Sequence, residues 1–124
     1  MIRVIAIGVL ILLGANSHAA DVPYKKFIAA NSANMSKLTV GMTKAQVIGV
    51  MGDNSSKVPD GVLTNPYKVE ALQNGADTYE VLYFLTRVHP PFTPILDNQA
   101  TPVVLKDGVV VGWGRAALQL TKAD

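Results

Sequence analysis

Gly41-Met42-Thr43-Lys44-Ala45-Gln46-Val47-Ile48-Gly49-Val50-Met51-Gly52 reads as a short helix whose start and stop are both encoded. The Thr43 hydroxyl can accept from the first-turn backbone, and Gln46, three residues on, completes a capping box. Met42 before the cap and Val47 inside the helix have the spacing of a hydrophobic staple. Val47, Val50 and Met51 form the predicted buried stripe, with Ile48 on its flank. Gly52 ends the helix in a left-handed conformation that other residues disfavour.

Working outward, Asp21 to Ser36 predicts an earlier helix, capped by Asp21 and with Pro23 in its first turn. Tyr24, Phe27, Ile28 and Met35 fall near one face of it. After Gly52, Asp53 to Thr64 reads as a polar loop around Pro59-Asp60-Gly61. Strand signals then dominate. Pro66 to Leu72 is the first predicted strand, and Asn74-Gly75 its hairpin turn. Thr78 to Val88 is the second, apolar on both faces from Val81 to Leu85, which predicts a central strand with both faces covered. A loop from His89 to Ala100 carries Pro90, Pro91 and Pro94. Thr101 to Lys106 is the third strand, with Pro102 tolerable only near its beginning. Asp107-Gly108 is a strong two-residue hairpin signal, and Val109 to about Leu118 is the fourth strand. Leu118 to Asp124 reads as a frayed polar tail. The expected class is α+β: two N-terminal helices packed on one face of a three- to four-stranded antiparallel meander. On the last strand, strict alternation puts Val110, Gly112 and Gly114 on one face and Val111 and Trp113 on the other. The glycine face is expected to receive a helix.

The chain has 124 residues, enough for one domain. Its first stretch is expected to lie outside that domain. Met1-Ile2-Arg3 is a short basic region, Val4 to Leu13 is apolar, and Ser17-His18-Ala19 offers small residues to a signal peptidase. Cleavage is expected after Ala19, with Ala20 as the other site, leaving a single domain over residues 20–124. The alternative is a retained anchor, but a spanning helix needs roughly 20 apolar residues and this run is about half that. Removing Arg3 lowers the formal charge from +2 to +1. With no basic cluster larger than Lys25-Lys26, a nucleic-acid footprint is not expected. The small positive excess permits weak attraction to anionic lipid. The chain has no cysteine, hence no disulfide and no lipobox anchor. The expected address is the periplasm of a Gram-negative bacterium, or secretion beyond it.

Gly41, Met42, Thr43, Gln46, Val47 and Gly52 resemble the helix motif of the SmpA/OmlA (BamE-like) family, the small subunit of the outer-membrane β-barrel assembly machinery. The likeness is carried by Leu38 to Gly52. Downstream, Asn65 to Glu70, Tyr79 to Tyr83, Thr101 to Val104 and Gly112-Trp113-Gly114 resemble related uncharacterised exported bacterial proteins. The resemblance implies two helices on an antiparallel sheet, as in β-lactamase inhibitor proteins, and a role within a cell-envelope complex. Members of the assembly family are lipoproteins anchored through a cysteine, which this chain does not have.

No catalytic constellation emerges, so an enzyme is not expected. None of Ser32, Ser36, Ser55 and Ser56 lies in a nucleophile elbow. His89, the one histidine after the leader, reads as a solvated loop residue. Gly49 to Lys57 lacks the Gly-Lys-Ser/Thr of a phosphate loop, and Asp53-Asn54 does not continue into a calcium loop. One histidine and no cysteine make a transition-metal site improbable, so no metal or cofactor is expected. Glu70 and Glu80 can face each other across the first hairpin, although strand alternation normally sends such residues to solvent. Aromatic residues are the better candidates for binding a protein partner. Tyr79, Tyr83 and Trp113 have the parity to share one sheet face under a suitable register. Phe92 stands in the Pro-rich loop, whose three prolines reduce the ordering entropy lost on docking. Core packing is the competing reading for the tyrosines and tryptophan, and an ordinary long connection for the loop. The expected function is that of a periplasmic, non-enzymatic protein-binding domain. The alternative is a small-ligand or lipid-binding protein using apolar surface between the first helix and the sheet.

Overall fold

The computed structural model describes residues 21–122. The proposed leader, residues 1–19, lies outside them. The capped helix forms as encoded: α1 spans Tyr24–Met35 and α2 spans Lys44–Met51. The Gln46 amide donates to Thr43 Oγ1 at 3.2 Å, and Gln46 Oε1 accepts from the Thr43 amide at 2.9 Å. Gly52 takes a φ of 83° and donates its N–H to the Ile48 carbonyl. Val47 and Met51 are fully buried, and Met42 packs beside them. Thr43→Ala should therefore lower stability by about 1 kcal/mol, measured by urea denaturation. The residues before the cap have a second task. Gly41 donates to the Val110 carbonyl and Val110 donates to the Met42 carbonyl, each at 2.8 Å. This seam covers part of an otherwise open sheet edge.

Helix α1 is shorter than expected, and Asp21 does not cap it. Pro23 precedes its first turn, and the Pro23 carbonyl accepts from the Phe27 amide. Asp21 instead bridges to Ser55, and its carboxylate accepts from the Lys57 amide. That contact anchors an element the sequence reading missed. The expected loop from Asp53 to Thr64 is a hairpin of β1, Ser55–Val58, and β2, Gly61–Thr64. Its strands are short and bury only Ser56, so no apolar alternation announces them.

The main sheet is an antiparallel meander of β3 (Lys68–Asn74), β4 (Asp77–Leu85), β5 (Ala100–Lys106) and β6 (Val109–Trp113), in that order. Asp107 and Gly108, at φ 50° and 89°, form the expected two-residue turn. The first turn falls one residue later than expected, at Gly75-Ala76, because Asn74 pairs with Asp77. Pro102 is the third residue of β5, and its carbonyl accepts from the Gly114 amide just beyond β6. The absent Pro102 N–H thus faces a position past the last paired residue of β6, where it is tolerated.

The class is α+β, but the helices are not all N-terminal. The predicted fourth strand ends at Trp113, and Arg115–Lys122 is a 3₁₀ helix rather than a strand end and frayed tail. It packs back on the sheet, burying Ala117 and Thr121. Both faces of β4 are therefore covered. Leu82 and Phe84 join Met35, Leu38, Val47 and Met51 on the α-helical side, whereas Tyr79 and Val81 meet Ala117 on the other. A third cluster joins Phe27 and Ile28 of α1 to Leu85 and Ala100.

Candidate functional site

The four aromatic candidates do not form one surface. Tyr79, paired with Lys106, lies on the face beneath the 3₁₀ helix and is buried in the core. Trp113 pairs with Val103 and packs against the α-helical core on the opposite face. The cause is a register irregularity between Val104 and Leu105. Val104 pairs with Gly112 but Leu105 pairs with Val110, leaving Val111 as an extra residue. A bulge of this kind shifts every later side chain to the other face. Val110 therefore shares the Trp113 face rather than the Gly112 face. Gly112 does receive a helix, though the C-terminal one. A Cβ there would stand 3.2 Å from the Ala117 Cβ and 3.3 Å from Leu120 Cδ1.

Tyr83 is half-buried on the Tyr79 face, within a polar cluster. Its hydroxyl reaches Glu70 Oε1 at 3.4 Å, the Lys68 ammonium sits 4.3 Å from its ring centre, and the Tyr67 ring packs edge-on. Glu70 pairs with Val81 whereas Glu80 pairs with Ala71, so the two glutamates lie on opposite faces. Glu80 meets the Lys44 ammonium at 3.0 Å. Burial, followed by the negative Glu70 and the hydrogen bond to it, pushes the Tyr83 phenol up to about 12. Burial and the nearby Asp97 also raise the Tyr67 phenol. For Tyr83, stability is full below the ordinary tyrosine value of 10.0 and is lost as pH climbs through about 12, because the unfolded phenol ionises first. Urea denaturation across this window should show a fall in stability that is smaller in Tyr83→Phe.

The Pro-rich loop borders a concave, mostly apolar feature. Phe92 is 73% exposed and sits at φ 59°, an uncommon conformation for a bulky residue. The turn is tied by the Thr93 hydroxyl donating to the Pro90 carbonyl at 2.6 Å. Immediately before it, Pro91 lines a pocket of about 150 Å³, together with Tyr24, Val58, Pro59, Asp60, Val88 and His89. Three separate segments build this pocket: the start of α1, the β1–β2 turn and the loop after β4.

His89 is buried at 5% exposure, not solvated. The Tyr24 hydroxyl accepts from the His89 amide at 3.0 Å and shares a 2.6 Å hydrogen bond with His89 Nδ1. The rings meet edge to face, 5.6 Å between centres and 89° between planes. Asp60 lines the same pocket but is exposed, and the hydrogen bonds of His89 go to Tyr24. No serine, threonine or lysine lines the pocket to serve as a nucleophile. Among the described residues no group of three or more His, Cys, Asp or Glu is placed to hold a metal ion. No helix among them is long and apolar enough to cross a membrane. Of the sequence candidates, only Phe92 adjoins this pocket. Tyr24, His89 and Pro59 went unrecognised because nothing local signals contacts between residues so far apart in the chain.

The family model described as a protein of unknown function (DUF3192) matches residues 7–120. No curated protein and no solved structure matches the chain.

Proposed function

The chain belongs to the DUF3192 family of proteins of unknown function, and we propose that it is a non-enzymatic protein-binding domain of the bacterial envelope. It docks through the Phe92 loop and the adjoining apolar pocket. The observation that carries this reading is Phe92 itself. A large apolar side chain is held in solvent by a stiff, internally bonded turn at a rarely adopted φ. Such conformations persist only where the surroundings enforce them, and they concentrate at functional sites. Exposed aromatics on pre-ordered loops lose little entropy on docking.

Export to the periplasm rests on the leader-like segment 1–19. Service as an accessory component of an envelope complex rests on the resemblance of Gly41 to Gly52 to the SmpA/OmlA motif. Within the pocket, the histidine is held through Nδ1 by a tyrosine rather than by a carboxylate, which favours a structural role for that pair over catalysis. The pocket is also small. Pockets for drug-sized ligands begin near roughly 300 Å³, twice the volume here, so a side chain suits it better than a lipid chain. Phe27, Ile28 and Met35 fill the space between α1 and the sheet where a lipid would otherwise lie.

A photo-reactive phenylalanine analogue at position 92, in living cells, should yield a discrete protein adduct on irradiation. The same analogue at exposed Lys25, on the outer side of α1, should not. No adduct from position 92 in correctly exported protein would sink the docking reading. N-terminal sequencing of that protein should begin at Ala20.

A further inference from the structure

We infer that the docking face pairs with a second copy of this chain about a two-fold axis, each Phe92 ring entering the Tyr24–His89 pocket of the other copy. The inference rests on the reading of the Phe92 loop as a docking surface and names its partner.

Size comes first. An enclosed apolar cavity of about 150 Å³ is known to accept a benzene ring, and this pocket, open to the surface on one side, has room of the same size. The Phe92 side chain ends in such a ring. Chemistry comes second. The pocket wall is nearly all carbon: two proline rings, Val58, Val88 and the edge-on Tyr24–His89 pair. Proline rings and T-shaped aromatic walls favour an incoming aromatic face. Asp60, the only carboxylate in the lining, is exposed, and no lysine or arginine lines the pocket to balance an incoming carboxylate. Position comes third. The knob follows directly after a pocket-lining residue, Pro91. A patch carrying both knob and hole is complementary to itself, and a two-fold axis satisfies both at once and closes the assembly. Phe92 is meanwhile held out in solvent on its own copy, fixed by its left-handed φ and the Thr93–Pro90 hydrogen bond.

Sedimentation velocity of the purified protein over a wide concentration range should show a reversible monomer–dimer equilibrium. Phe92→Ser removes the knob, and Val88→Trp fills the hole from its wall. Each should raise the dissociation constant at least thirtyfold, about the effect of losing one buried aromatic anchor. Both variants should keep the far-ultraviolet circular dichroism of the parent, because Phe92 and Val88 are exposed. Should Val88→Trp fail to fold, Phe92→Ser still decides. In cells, the position-92 adduct should have twice the mass of the chain.

A protein that stays monomeric at every concentration, or a dimer that survives Phe92→Ser, overturns the pairing. A monomer whose position 92 cross-links to a different protein also overturns it, while leaving the docking reading intact. Absence of any adduct, by contrast, removes the docking reading itself.

Discussion

Replacing Asn31 with leucine should destabilise the protein by about 3 to 4 kcal/mol, the sum of a few orphaned buried polar groups at about 1 kcal/mol or more each. Asn31 lies in the middle of α1 and is 1% exposed. Its Nδ2 donates to Asn65 Oδ1 at 2.9 Å and to the Leu85 carbonyl at 2.8 Å. Its Oδ1 accepts from Asn65 Nδ2 at 2.7 Å, and Asn65 also reaches the Met51 carbonyl at 3.4 Å. The pair thus ties together α1, the approach to β3, the end of β4 and the end of α2. Leucine has the same number of side-chain heavy atoms and leaves no void, so the loss comes from stranded polar groups rather than from a cavity. Asn65 would keep only its long contact to Met51, and the Leu85 carbonyl would lose its side-chain donor. Urea denaturation should show a lower midpoint at unchanged slope. The double variant Asn31→Leu with Asn65→Leu should be less destabilised than the two single losses added together. Strict additivity would mean that the pair is not a coupled unit.

The second large effect is expected from Gly112→Leu, at about 2 to 3 kcal/mol, the upper part of the usual range for overpacking. The first added carbon already stands 3.2 Å from the Ala117 Cβ, whose backbone is held by the Ala117 N–H to Gly114 bond. Alanine asks for a shift of a few tenths of an ångström, whereas leucine cannot fit without lifting the 3₁₀ helix. Amide hydrogen exchange should therefore accelerate first at residues 115–122, uncovering Tyr79 and Val104 beneath them. Gly112→Ala should show a much smaller loss. Uniform acceleration across the sheet would argue instead that the helix and sheet open together.

Much of the local chemistry was legible, although Asp21 does not cap α1 and the first turn falls at Gly75-Ala76 rather than Asn74-Gly75. The Thr43–Gln46 box, the Gly52 stop and the Asp107-Gly108 turn are contacts within four residues, and they form as the residue types require. The central strand was legible because Val81 to Leu85 is apolar on both faces. Other features were hidden for identifiable reasons. Ser55 to Thr64 carries no apolar alternation, and its hairpin is held partly by Asp21 and Val22 from across the chain. The Arg115–Lys122 helix followed a strand with no capping residue to announce it, so the strand reading ran on too far.

The candidate site divides in the same way. Phe92 was legible as an aromatic residue among prolines. The pocket beside it was not, because Tyr24 and His89 are 65 residues apart and each alone reads as something ordinary. Trp113 shows the limit most directly. Alternation counted along β6 assigns it a face, but the extra residue opposite Val104–Leu105 reverses that assignment. The sequence by itself determined the capped helix, the order of the meander and the Pro-rich loop, since each depends on neighbours along the chain. The tertiary structure alone decided which faces the aromatics occupy, how the C-terminal helix folds back onto Gly112, and which pocket Phe92 stands beside. Those depend on strand register and distant packing, which periodicity along one chain does not encode.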